Sequence, residues 1–352
     1  MDLSILWFVV VALLFTGYFA LEGFDFGVGM LLPVLGRDER NRRVLYNTIG
    51  PVWDGNEVWV LTAGGAMFAA FPFWYATLFS GFYLPLLLIL VALIVRNLAF
   101  EYRGKRPEAS WKARWDVAAV VGSWVPAVLW GVAFANIVRG VPLGPLGDDP
   151  PTAYHLVYTG GLLELLHPYA LLGGIVTASL FATHGAMFVA LKTDGEIRHR
   201  ARELAVRLGL GAAVAAVVFL TWTVAADGFR PVPVVLAVLA AVALVGGLAA
   251  ARAGREGRGF TLTFATVVLA VATLFTCLFP DVLPSTTDPA FSLTVENATA
   301  TDATLTVMTI AAAVFTPVVV GYQAWSYWVF RRRISVHHIP EAEPAPAAGT
   351  RP

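Results

Sequence analysis

The sequence predicts an all-α polytopic membrane protein with about nine transmembrane helices. Three observations carry this. Of 352 residues, 58% are hydrophobic and only 14% charged, which excludes an ordinary soluble domain. Apolar windows long enough to cross about 30 Å of hydrocarbon recur along the chain. Arginine and lysine gather in alternate connections, which fixes an orientation.

The windows fall near 4–34, 50–72, 76–101, 116–138, 160–190, 207–226, 232–250, 260–280 and 304–330. The first lacks a basic start and runs on far beyond a signal-peptide core, so it reads as a retained span. Its connection to the second carries Arg37, Arg40, Arg42 and Arg43. Basic residues recur at 103–114, 192–207 and 252–258, and Arg331, Arg332 and Arg333 follow the last span. On the opposite side stand only Arg139 and Arg230, so the positive-inside rule places the N-terminus outside and the C-terminus in the cytoplasm. Loops near 140–159 and 281–301 have turn composition. Residues 1–338 then form one transmembrane domain, and the Pro- and Ala-rich 339–352 read as a disordered cytoplasmic tail.

The second window begins NTIGPVWDGNEVW, which puts Asp54 and Glu57 inside a span. Ionised carboxylates cost about 2.5–3.5 kcal/mol at a helix centre even on lenient scales, so intramembrane acids point to function. At 1.5 Å per residue, Glu22 and Asp25 near the end of span 1, Asp54 and Glu57 at the start of span 2, and Arg96 and Glu101 at the end of span 3 share one depth in the cytoplasmic half. A spacing of three keeps Glu22 with Asp25, and Asp54 with Glu57, on one helix face. Such a cluster suits proton uptake. The plainer alternative is structural glue in which Arg96 pairs with Glu101 or Asp54. Trp53 and Trp59 read as packing residues near this path.

Other chemistry is sparse. Cys277 stands alone, so there is no disulfide framework or CxxC site. A formal charge of zero offers no basic face to nucleic acid. His184 is the single candidate metal or haem ligand, and without a partner three or four residues away it reads better as a hydrogen-bonded bundle residue. No metal ligand set and no catalytic residue in this chain is expected.

The chain resembles subunit II of the cytochrome bd quinol oxidases along nearly its whole length. The matching stretches are GYFALEGFDFGVGML at 17–31, NTIGPVWDGNEVWVLTAGGAMFAAFP at 47–72, SGFYLPLLLILVALIVRNLAFEYR at 80–103 and WDVAAVVGSWVPAVLWGVAFAN at 115–136, followed by FPDVLPSTT at 279–287, NATATDATLTVMT and YQAWSYWVFRRR. The resemblance implies two four-helix bundles plus a peripheral C-terminal helix. It implies a heterodimer in a bacterial cytoplasmic membrane with a subunit I that holds two b-type haems and one haem d. The complex oxidises quinol outside and reduces O2 to water with cytoplasmic protons, electrogenic without pumping. It leaves open a structural quinone in this chain and a small accessory subunit. Carried over by position, Asp54 and Glu101 match family acids associated with proton delivery. Asp25 matches a family acid, Glu22 varies among relatives, Glu57 is glutamine in some, and His184 stands where some have glutamine. Beside this stands a second expectation, a proton-coupled secondary transporter, for which a span interrupted by Pro126 would be one sign.

Overall fold

The computed structural model describes residues 2–147 and 152–339. Twelve α-helices account for most of it. They are α1 (Leu3–Met30), α2 (Leu32–Leu35), α3 (Glu39–Ile49), α4 (Trp53–Ala70), α5 (Pro72–Gly81), α6 (Tyr83–Tyr102), α7 (Ala109–Arg139), α8 (Pro168–Lys192), α9 (Glu196–Ala226), α10 (Pro231–Arg252), α11 (Glu256–Leu278) and α12 (Asp302–Val329). Among the described residues, eight helices are long and apolar enough to cross a membrane: α1, α6 to α11, and α12. The remaining expected span is α4, whose 18 residues include Asp54, Asn56 and Glu57.

Several boundaries differ from the sequence expectation, each for a local reason. The window at 76–101 breaks at Phe82, because Pro72 starts the separate helix α5, which packs against a loop strand and leaves α6 to begin at Tyr83. The window at 160–190 starts late. Pro168 takes the first helical position of α8, the His167 ring caps the Ala170 N–H at 3.2 Å, and 162–166 form a short 3₁₀ turn. The window at 207–226 extends back to Glu196, since its added turns are amphipathic and bury Ile197, Ala201 and Ala205. The connection carrying Arg40, Arg42 and Arg43 holds the helix α3, which Asp38 caps by accepting from Asn41 N–H at 2.8 Å.

The first bundle comprises α1, α4, α6 and α7, and the second α8 to α11; they meet where α1 and α7 pack on α8 and α11. Between apolar helices in lipid the attraction comes from close packing, so small residues decide the crossings. At the α1–α8 crossing, a Cβ on Gly27 would lie 2.0 Å from the Phe181 carbonyl oxygen, and one on Gly185 2.5 Å from Gly27 backbone. Beside this seam Phe15, Phe19, Trp130, Phe134 and Phe275 form an aromatic core, with Phe19 and Phe134 edge to face at 4.9 Å.

Two short antiparallel ribbons close the end away from the arginine-rich loops. In one, β1 (Leu143–Pro145) pairs with β2 (Leu156–Tyr158), and in the other β3 (Asp281–Leu283) pairs with β4 (Leu293–Thr294). There Arg230 donates to the Thr276 and Cys277 carbonyls, both at 2.8 Å, occupying acceptors left over at the end of α11.

Helix α12 is peripheral. It leans on α1 and α4, and Leu305 is the one residue along it that is buried. The segment after it turns back across the arginine-rich end. Ile334 N–H donates to the Lys192 carbonyl at 2.8 Å, Lys192 Nζ reaches the Phe330 carbonyl, and Arg333 donates to the Thr193 carbonyl at 3.1 Å. Ile339, counted with the tail on sequence grounds, is buried at 4% exposure. The rest of that tail lies outside the described residues.

Candidate functional site

Four ionisable side chains meet inside the first bundle near its arginine-rich end. Arg96 of α6 and Glu22 of α1 are both 0% exposed and form an ion pair through Nη1 and Oε1. Glu57 of α4 stands 3.8 Å from the same guanidinium nitrogen, with its side chain 14% exposed. Asp25, one turn along α1 from Glu22, is fully buried and accepts from Asn56 Nδ2 at 2.6 Å. Asn97 donates to Glu57 at 2.9 Å. The guanidinium lies between the rings of Phe26 and Phe100, 4.7 and 4.9 Å from their centroids, a cation–π arrangement that compensates a charge held away from water.

Three carboxyls therefore face one guanidinium. Charge balance in such a cluster would be met with one of the three ionised. Several polar atoms here have no hydrogen-bond partner: Glu22 Oε2, Asp25 Oδ1, Glu57 Oε2, and Nε and Nη2 of Arg96. Buried polar groups are normally satisfied, so these atoms set the cluster apart from the paired interior around it.

The pairing of Arg96 with Glu101 or Asp54, on which the structural-glue alternative rested, is not what forms. Five residues separate Arg96 from Glu101, a rotation of about 140° at 3.6 residues per turn, so when Arg96 points inward Glu101 is exposed. Asp54 is likewise exposed, while Glu57, three residues further along the same helix, is half-buried. Both outer acids nevertheless flank one contact. Asp54 follows Trp53 and Glu101 follows Phe100, and those rings meet at 5.3 Å across the gap between α4 and α6. Trp59 packs against α1, where a Cβ on Gly17 would meet its ring at 2.3 Å.

Some members of the site escaped sequence reasoning. Gln323 and Tyr327 of α12 donate to Asn56 Oδ1 at 3.2 and 2.7 Å, and Trp59 donates to Gln323 Oε1 at 2.8 Å. The available signal was a glutamine and a tyrosine four apart near the C-terminal end of α12. A second network lies beyond the cluster. Arg103 bridges Asp116 of α7 at 2.6 Å and Glu39 of α3 at 2.7 Å; Lys112 reaches Glu39 at 3.1 Å and Tyr46 donates to Asp116 at 2.9 Å. Partial burial works to raise the Glu39 pKa, but hydrogen bonds from Arg103 and Lys112 and their charges outweigh it and hold the carboxyl below its ordinary value.

His184 is buried with both ring nitrogens engaged, Nδ1 with Thr263 Oγ1 at 2.8 Å and Nε2 with the Ala20 carbonyl at 3.2 Å, while Phe260 stacks on its face at 4.8 Å. No nitrogen is left for haem iron. Among the described residues, no three His, Cys, Asp or Glu side chains converge as a metal site. His184, with both nitrogens so engaged, does not fit a haem ligand.

A polytopic helical membrane protein with an intramembrane acid and arginine cluster is the class that this fold and site define. The chain belongs to the cytochrome bd terminal oxidase subunit II family, whose profile matches residues 3–330. It is 42% identical over 334 residues to cytochrome bd ubiquinol oxidase subunit 2 of Bacillus subtilis (strain 168), covering 94% of this chain and 96% of that protein. It is 35% identical over 370 residues to cytochrome bd-I ubiquinol oxidase subunit 2 of Escherichia coli (strain K12), covering 96% of each. The solved bd oxidase from Geobacillus thermodenitrificans has a chain of the same fold, with TM-score 0.74 and 14% identity over 94% of this chain and 99% of that one. The protein is thus a multi-pass bacterial cytoplasmic-membrane subunit of a terminal oxidase, an oxidoreductase complex that holds haem. The transporter expectation is set aside by this membership.

Proposed function

We propose that this chain is the non-haem subunit of a quinol:O2 oxidoreductase, which stabilises the haem-bearing subunit I and supplies a proton path from the cytoplasm. In this reading the arginine-rich end is cytoplasmic. Asp54 and Glu101 collect protons at that boundary, and Glu57, Asp25 and Glu22 hold them around Arg96. Two b-type haems and one haem d reside in subunit I. The exposed apolar faces of α4, α6 and α12, including Leu61, Phe68, Leu88, Val91 and Phe315, offer a surface for that partner. Covered by subunit I, Asp54 and Glu101 would stand between the aqueous boundary and the cluster.

The observation that carries the reading is the pair of exposed acids beside the Trp53–Phe100 contact, next to a buried cluster with unpartnered carboxyl oxygens. The test is Asp54→Asn in the assembled oxidase. A haem-loaded complex with much slower O2 reduction is expected, and wild-type turnover would remove the proton path. Loss of haem together with activity would favour a purely structural cluster.

A further inference from the structure

We infer that Gln323 and Tyr327 of α12 are positioning residues for Asp25, acting through Asn56 to determine which carboxyl oxygen takes the proton. The inference deepens the proton-path reading and rests on it. Its starting point is Trp59, whose indole N–H can only donate. Since Trp59 Nε1 lies 2.8 Å from Gln323 Oε1, the amide oxygen of Gln323 faces Trp59 and its NH2 group faces Asn56. That NH2 donates to Asn56 Oδ1 at 3.2 Å, and the Tyr327 hydroxyl donates to the same oxygen at 2.7 Å. A carbonyl oxygen has two lone pairs, and both are taken. The NH2 of Asn56 is therefore the end turned to Asp25 Oδ2, at 2.6 Å.

Reversing Asn56 would set its NH2 against the Gln323 NH2, which cannot accept, and its oxygen against a carboxyl oxygen. The whole chain from Trp59 to Asp25 thus has one polarity, fixed at its far end by a group that cannot accept. With Oδ2 held as an acceptor of the Asn56 N–H, a proton arriving at Asp25 binds Oδ1, the oxygen that is buried without a partner. The helix that contributes least to the packed interior is in this way the one that orients the buried acid.

The experiment uses the assembled oxidase with Tyr327→Phe and Gln323→Leu combined, Asn56→Ala, and all three changes together. The Asp25 carboxyl or carboxylate stretch is read in the infrared as the band that vanishes in Asp25→Asn. Quinol-driven O2 uptake and haem content are measured alongside. The expected result is full haem content, a shifted Asp25 band in the α12 variant, and a loss of rate equal to that of Asn56→Ala that does not deepen in the triple variant, because the residues act through one another. An unmoved Asp25 band, or rate losses that accumulate in the triple variant, would overturn the inference. Wild-type turnover in Asp25→Asn with a band that still shifts in the α12 variant would remove Asp25 from the proton path and leave its positioning by α12 standing.

Discussion

Replacing Glu22 with Gln removes the one carboxylate in direct contact with a guanidinium that has no access to water. Breaking a buried ion pair on one side costs about 3–5 kcal/mol, because the surviving charge is left uncompensated. Glu57 softens the loss. It remains 3.8 Å from Arg96 Nη1, near enough to take up the compensating negative charge. The net cost is therefore set at the lower end of that range, about 3 kcal/mol. For 352 residues with an unfolding entropy of about 2.1 cal/mol/K each, that corresponds to a Tm lower by about 4 °C. The assay is thermal unfolding of the purified complex, with Glu203→Gln as the control. Glu203 pairs with Arg207 at 3.8 Å, but both side chains are mostly exposed, so no measurable shift is expected there. A Glu22→Gln shift no larger than that of Glu203→Gln would refute the assignment of this pair as the anchor of the cluster.

Gly27→Ala should lower accumulation and Tm, since the new methyl would meet the Phe181 carbonyl oxygen at 2.0 Å. Gly211→Ala, with nothing within 4 Å, should be neutral or slightly stabilising in the same thermal scan. His184→Gln should leave haem absorbance per complex unchanged, because both ring nitrogens are already committed to protein partners. Loss of a haem band would contradict that. Glu39 has a folded pKa below its unfolded one, so its contribution to stability is present above the ordinary carboxylate range and lost as pH falls through the folded value. Stability measured against pH should accordingly show a shallower acid decline in Glu39→Gln than in wild type.

What the sequence revealed depended on whether a feature is set along one helix or between helices. Span positions follow from local composition, and the shared depth of Glu22, Asp25, Glu57 and Arg96 follows from rise per residue and chain direction. Rotation about each helix axis does not follow, because the apolar residues of a membrane helix face lipid and neighbouring helices alike. Reading depth alone, Asp54 and Glu101 look equivalent to Glu57 and Arg96, yet the first two are exposed and Arg96 is sealed. The break at Phe82 was hidden for a similar reason, since α5 and α6 are both apolar and only their packing separates them. The relay through α12 joins residues more than 260 positions apart, beyond any periodicity in the chain.

The strap that follows α12 has a consequence for how the protein is made. In order of synthesis α12 emerges after every other helix described, and Ile334 and Arg333 then fasten its far end to the α8–α9 junction. Until that happens, Asn56 lacks Gln323 and Tyr327, and Asp25 sits in the bilayer beside an unanchored amide. A chain that stops short of α12 would thus leave within the bundle a polar group that the finished chain satisfies.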